Sequence, residues 1–290
     1  MGASMSNAFD YSIQKLAFLP PPKGYNVNQN VNMVRTMTND VIATRITSNL
    51  GRPYVHGSEY NCDKTFFIFS HGNGDDLQSV QDYVNWLATT FSANVLSYDY
   101  VNYGCSSPGL TSEENMSAAI TAVFEYATNT LQVPASKICL IGKSIGTAPT
   151  CHLAAQPFAT DIQGVILISP LASGIRALVP SSLASRKLLD PFDSLFCPSL
   201  SLIKAVNVPV FVIHGYEDKV INIVNARILV KALSRSSEFP PLFLHAGHND
   251  IEDTHPITLR EYIGAFLQHC AIQYDRRHAT TDALVDYEFE

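Results

Sequence analysis

The sequence has no apolar run approaching the roughly 20 residues that a membrane-spanning helix requires. Its start lacks the basic stretch followed by an apolar one that marks a secretory leader. Basic residues are the minority. With 19 Lys and Arg against 26 Asp and Glu, the net charge is −7, which speaks against a nucleic-acid binder and against a polybasic membrane anchor. No two cysteines form a C-x-x-C pair. The six, Cys62, Cys105, Cys139, Cys151, Cys197 and Cys270, are irregularly spaced and read as reduced thiols of a cytosolic protein rather than a disulfide framework. No cluster has metal-ligand spacing, and no glycine-rich loop ends in the Lys-Ser/Thr of a phosphate-binding loop. Neither a metal nor a cofactor is expected. The single tryptophan, Trp86, is expected in the core.

What is present suits one well-filled globular domain: 290 residues, 46% of them apolar and 16% charged. Residues 1–30 read as irregular, with Pro20, Pro21, Pro22 and Gly24 blocking regular structure. Residues 31–37 and 41–47 alternate apolar and polar side chains, which predicts two antiparallel strands at a sheet edge. From residue 64 the pattern changes to short continuous apolar runs: Phe66–Phe69, Val95–Tyr98, Ile138–Ile141, Val165–Ile168, Val210–Ile213 and Leu242–Leu244. Such runs suit parallel strands buried on both faces. Segments with apolar residues at three- and four-residue spacing, 76–90, 113–131, 145–155, 222–234 and 256–270, predict intervening helices. The alternation indicates an α/β architecture, a doubly wound and mainly parallel sheet. Chemistry in such sheets sits beyond the carboxyl ends of the strands.

Four loops at those ends hold candidate residues. Gly142-Lys143-Ser144-Ile145-Gly146 follows the third apolar run and opens a helix. This G-x-S-x-G pattern, set between strand and helix, exposes a serine on a sharp turn and makes Ser144 the candidate nucleophile. Its partners are expected in the chain order Ser, acid, His. His248, in Ala246-Gly247-His248-Asn249-Asp250, takes the last place as general base. Asp218, in His214-Gly215-Tyr216-Glu217-Asp218, is the chosen acid, with Glu217 as its alternative. Asp250 is out of chain order for that role, and His214 reads as packing at the strand end. An oxyanion hole needs two N–H donors. One is expected from Ile145 and the other from Asn73 in Ser70-His71-Gly72-Asn73-Gly74, with Gly74 as the alternative. His71 reads as a loop brace, and Asp99–Gly104 as a loop-organising turn.

Taken together, Ser70-His71-Gly72-Asn73, Tyr98-Asp99-Tyr100 with Tyr103-Gly104, Gly142–Thr147 and Gly247–Asp250 resemble the peripheral-membrane α/β-hydrolases that remove palmitate from proteins. The resemblance extends to Lys15–Pro21 and Ser169–Gly174 and spans about residues 13–270. It implies an α/β-hydrolase fold over residues 31–270, thioester hydrolysis by Ser144, Asp218 and His248, S-acylated proteins as substrates, and no cofactor. It also implies a place at the cytoplasmic face of a membrane. Residues 1–30 would then be a membrane-associating segment, while residues 271–290 lie outside the resemblance and read as a loosely ordered acidic tail.

The chain departs from that family in two places. The depalmitoylases carry an N-terminal cysteine cluster that is itself acylated, whereas here no cysteine precedes Cys62. Instead Met1-Gly2-Ala3-Ser4-Met5-Ser6 fits the myristoylation pattern and marks Gly2 as a candidate site. One such chain gives only marginal binding and would need a second contact. The other departure is residues 175–204, a long connection rich in leucine. It reads equally as a short cap lining an acyl groove or as an excursion packing its own apolar residues. A prolyl-oligopeptidase-like peptidase and a general carboxylesterase share the same motifs, because triad chemistry attacks thioesters, esters and amides alike. A binding module without catalysis is disfavoured, since nucleophile, base and turn glycines are all in place.

Overall fold

The computed structural model describes residues 17–27, 30–48, 64–234 and 238–285, without the side chains of Ser181 and of residues 278–285. Gly2, Cys62 and most of the proposed membrane-associating segment lie outside the described residues.

Eight strands form one sheet: β1 (Asn32–Arg35), β2 (Val41–Thr47), β3 (Phe66–Ser70), β4 (Asn94–Tyr98), β5 (Ile138–Lys143), β6 (Gly164–Ile168), β7 (Val210–Gly215) and β8 (Leu242–Leu244). Their order across the sheet is β1-β2-β4-β3-β5-β6-β7-β8. β1 and β2 pair antiparallel at the edge, β2 joins β4 antiparallel, and all other pairs are parallel. This is the doubly wound, mainly parallel sheet with an antiparallel edge that the strand and helix patterns anticipated.

The apolar runs are continuous because both faces are covered. Ile68, Leu140, Leu167 and Val212 face helices α2 (Glu113–Glu125), α3 (Thr147–Ala154) and α7 (Val224–Ala232). Their neighbours Phe67, Ile141, Ile166 and Phe211 face α1 (Gln81–Thr90) and α9 (Pro256–Val285). Each fully buried side chain of this size contributes roughly 1.5–3 kcal/mol. The helix α2 is started by Ser112, whose side chain accepts from the Asn115 N–H while the Asn115 side chain accepts from the Ser112 N–H.

One expectation is corrected. The terminal helix α9 does not stop near Cys270 but continues to Val285, so residues 271–285 are helical rather than a loose tail. The connection between β6 and β7 packs only part of its apolar residues. It contains α4 (Gly174–Leu178), α5 (Ser181–Ala184) and α6 (Ser199–Leu202). Phe196 and Cys197 turn inward, but Leu178, Leu183, Leu188, Phe192 and Leu195 are exposed.

The interior of this connection is ionic. Arg176, only 2% exposed, donates from Nε and Nη2 to the two carboxylate oxygens of Asp193 at 2.7 and 2.8 Å. It donates further to Asp190 at 2.6 Å and to the Ala184 carbonyl at 2.5 Å. The Ser173 hydroxyl completes the knot on Asp193 at 2.7 Å. Removing one member of a buried pair strands the other. Arg176→Met is therefore expected to destabilise the protein by about 3 kcal/mol, and the midpoint of urea unfolding measures it. A midpoint equal to that of the wild type would show that the knot contributes nothing.

Candidate active site

The chain runs from β3 to β4 on one side and then returns to β5 on the other, so the direction of winding reverses between β3 and β5. The crevice at such a reversal is where ligands enter open α/β sheets. The loop after β3 holds residues 71–74, and the turn after β5 holds Ser144.

Ser144 has φ +55°, a left-handed conformation that a non-glycine residue adopts only under constraint. The flanking glycines make the turn sterically feasible. A Cβ on Gly146 would overlap the carbonyl oxygens of Ser70 and His71, and one on Gly142 would lie 2.6 Å from Thr150 Oγ1. The serine thus stands between β5 and α3, with the amides of the first helical turn below it, where the helix favours negative charge.

His248 Nε2 lies 2.9 Å from Ser144 Oγ, and His248 Nδ1 lies 2.7 Å from Asp218 Oδ2. The carboxylate accepts from Nδ1–H and leaves Nε2 as the acceptor for the serine hydroxyl. All three residues are less than a tenth exposed. Asp218 Oδ1 accepts the N–H groups of Val220 at 2.9 Å and Ile221 at 2.8 Å. Burial alone would raise this carboxyl. Hydrogen bonds from His214 and His248 outweigh it and hold Asp218 well below the usual carboxylate range.

The neighbouring acids have other partners. Glu217 pairs with His245 at 2.9 Å, both exposed. Asp250 accepts the Gly247 N–H at 2.6 Å and shapes the turn that carries His248.

The loop after β3 runs beside the nucleophile. A Cβ on Gly72 would lie 3.8 Å from Ser144 Cβ. The side chain of Asn73 is fully engaged: Oδ1 accepts from Leu19 N–H at 2.8 Å and Tyr103 OH at 2.7 Å, and Nδ2 donates to the Ala17 carbonyl at 2.7 Å. Among the described residues nothing accepts from its backbone N–H. His71 is fully buried, with Nδ1 2.8 Å from Gly72 O and Nε2 at an ion-pair distance of 3.3 Å from Asp99. Burial lowers the His71 pKa, but Asp99 outweighs it and the net shift is upward. Tyr100 OH donates to the His71 carbonyl at 2.6 Å. Asp99 also accepts from Leu77 N–H at 2.9 Å and from Tyr25 OH. The Asp99–Gly104 turn is therefore the frame on which the loop is stretched.

Three supports had no signal in the sequence. Tyr25 reaches Asp99 from the N-terminal segment. Lys143, next to the serine, pairs with Glu252 in α8 (Ile251–Thr254) at 2.8 Å, tying the turn after β5 to the loop of His248. His214 touches Asp218, with Nε2 3.2 Å from Oδ2.

Cys105, Cys139, Cys151, Cys197 and Cys270 are free thiols, and burial pushes Cys151 and Cys270 up to about 12. Cys151 and Cys270 are too weakly acidic to serve as nucleophiles at neutral pH. A cavity of about 500 Å³ lies under the connection between β6 and β7, lined by Met37, Glu113, His152, Leu195 and Phe196 among others. None of Ser144, Asp218 and His248 lines it. Among the described residues no helix is long and apolar enough to cross a membrane.

Residues 65–193 match the family described as alpha/beta hydrolase fold. The chain is 34% identical over 261 residues to the alpha/beta hydrolase domain-containing protein aho-3 of Caenorhabditis elegans, covering 83% of this chain and 73% of that one. It is 40% identical over 197 residues to alpha/beta hydrolase domain-containing protein 17C of Xenopus laevis, covering 68% and 58% respectively. The match to the human protein of that name, also at 40%, covers 53% of its length. Among solved structures, an esterase of Pyrococcus furiosus aligns with a TM-score of 0.64 at 18% identity over 88% of this chain and 98% of its own. That likeness is one of fold.

Proposed function

Since the chain belongs to the α/β-hydrolase family, we propose that it is a serine hydrolase that removes palmitoyl groups from S-acylated proteins. The observation that carries the catalytic part is the continuous line from Asp218 through His248 to Ser144, at 2.7 and 2.9 Å, beside the Gly72-Asn73 loop.

In this reading Ser144 Oγ attacks the thioester carbonyl carbon while its proton passes to His248 Nε2. Asp218 stabilises the resulting imidazolium. The N–H groups of Asn73 and Ile145 hold the tetrahedral oxyanion. The intermediate collapses, the cysteine sulfur of the substrate leaves and takes the proton from His248, and an acyl ester remains on Ser144. Water then gives a proton to His248 and attacks the ester. Collapse of the second intermediate frees the fatty acid, and the proton returns to Ser144. The leaving group makes thioesters an easy substrate for such a site. A thiol has a pKa of about 8.5 and departs with little help, whereas an amine must be protonated as it leaves.

The substrate class rests on the motifs shared with the protein depalmitoylases and on the connection between β6 and β7, which exposes Leu178, Leu188 and Leu195 to the surroundings. Acylated proteins lie on the cytoplasmic face of membranes, and the proposal places this enzyme there as a peripheral protein.

A hydrolysis panel tests the substrate class. A palmitoylated cysteine peptide, a p-nitrophenyl ester and a peptide amide are offered at equal concentration. The palmitoyl thioester is expected to give a kcat/KM at least tenfold above the amide. A preference for the amide would point to a peptidase, and a preference for short simple esters to a carboxylesterase. Either would overturn the reading.

A further inference from the structure

His214 is fully buried at the end of β7 and lies outside the three-residue line described above. Its Nε2 has two neighbours, the Ile221 carbonyl at 2.8 Å and Asp218 Oδ2 at 3.2 Å. Both are acceptors, so Nε2 must carry a hydrogen. Its Nδ1 is buried with no partner. A proton there would be an unpaired buried donor and a buried charge, which is far costlier than an unpaired lone pair. The ring hydrogen is therefore on Nε2, between the carbonyl and the carboxylate.

From this geometry, and resting on the triad reading above, we infer that His214 is a positioning residue that holds Asp218 and weakens it as a base. Asp218 Oδ2 accepts from His248 Nδ1 at 2.7 Å and lies 3.2 Å from His214 Nε2, and the two histidines have opposite duties. His248 gains a proton during the reaction, and His214 does not. By occupying the same oxygen, His214 keeps the proton on His248 from sliding to the carboxylate and fixes the rotation of the carboxyl group. Together with the Val220 and Ile221 amides it saturates both carboxylate oxygens.

Other charged groups nearby are already committed. On the loop after β7, Glu217 faces His245 at the surface. Beside the turn after β5, Lys143 is held by Glu252 of α8. Asp250 is taken by the Gly247 amide. The acid–base behaviour of His248 is therefore governed by Asp218 and, through it, by His214.

The test compares pH profiles of kcat/KM on a p-nitrophenyl ester for the wild type, His214→Met and His214→Gln. Without the donor, Asp218 becomes more basic and stabilises the imidazolium of His248 in the resting enzyme. The acid limb, which reports loss of neutral His248, is expected to move to higher pH by about half a unit or more. The plateau kcat is expected to fall on the order of tenfold, the worth of one hydrogen bond to a charged group, with KM changed less than twofold. His214→Gln, whose amide nitrogen can reach the same place, is expected to keep the wild-type acid limb and kcat within about threefold. A folded His214→Met with the wild-type plateau and acid limb would overturn the inference. So would equal losses in both variants with no movement of the limb, which is the mark of a merely structural role.

The wild type offers a reading that does not depend on variants folding. Nitrogen NMR of the histidine rings at neutral pH is expected to show the hydrogen of His214 on Nε2, and a hydrogen on Nδ1 would overturn the inference. Labelling of the wild type by a fluorophosphonate reports on the triad itself, so failure of that reading is distinguished from failure of this one.

Discussion

Ser144→Ala is expected to lower kcat on an acyl ester by on the order of 10⁴- to 10⁶-fold and to abolish labelling by a fluorophosphonate probe. The two readouts separate chemistry from folding. Alanine tolerates φ +55° no better and no worse than serine, and the turn is held by Gly142 and Gly146 rather than by the hydroxyl. The one interaction lost is the 2.9 Å contact with His248, worth about 1 kcal/mol. The melting temperature should therefore move by only about 2–4 °C for a chain of this length. What remains of the rate would come from the Asn73 and Ile145 amides and from substrate binding. Labelling of Ser144→Ala equal to the wild type would place the reactive group elsewhere and reject the proposal.

Asp218→Asn should cost on the order of 10⁴-fold in kcat at neutral pH, for a reason visible in the hydrogen bonds. The Val220 and Ile221 amides both donate to Oδ1, so an asparagine must place its oxygen there. Its NH₂ group then falls at the Oδ2 position, facing His248 Nδ1 and His214 Nε2. Donation to His248 Nδ1 forces the hydrogen onto Nε2, where it can no longer accept the proton of Ser144. Two donors would also confront each other at His214.

Stability gives a second signature. Asp218 is ionised well below the usual carboxylate range, so its contribution to folding is present above about pH 4. It is lost as the pH falls through the lowered native value. The asparagine variant should lack that part of the acid-induced loss. Glu217→Gln is the control: its carboxylate faces His245 at the surface, and a change in kcat of less than about twofold is expected. A larger effect from Glu217→Gln than from Asp218→Asn would exchange their roles.

Much of this architecture was legible because it depends on local pattern. The apolar runs at Phe66–Phe69 and Val210–Ile213 mark β3 and β7 to within two residues, since a strand covered on both faces needs nearly every side chain apolar. Ser144 was legible because a turn of that sharpness demands the glycines printed on either side. The connection between β6 and β7 was not legible. Leucines in sequence suggest burial, and nothing in their spacing says that Arg176 will find Asp193 and occupy the interior first. The extension of α9 past Cys270 was missed for a related reason. Its last turns carry no apolar stripe to announce them, and helix there is a matter of propagation from a docked start. Supports that join distant segments, such as Lys143 to Glu252 and Tyr25 to Asp99, leave no periodic trace at all.

The Arg176 knot has a consequence for how such a chain can diverge. The part of the connection that folds around its own ion cluster contributes none of Ser144, Asp218 or His248. Its outward side chains, Leu178, Leu188 and Leu195, carry no duty in holding the domain together. Substitution there can change what the protein meets while Ser144, Asp218 and His248 stay fixed.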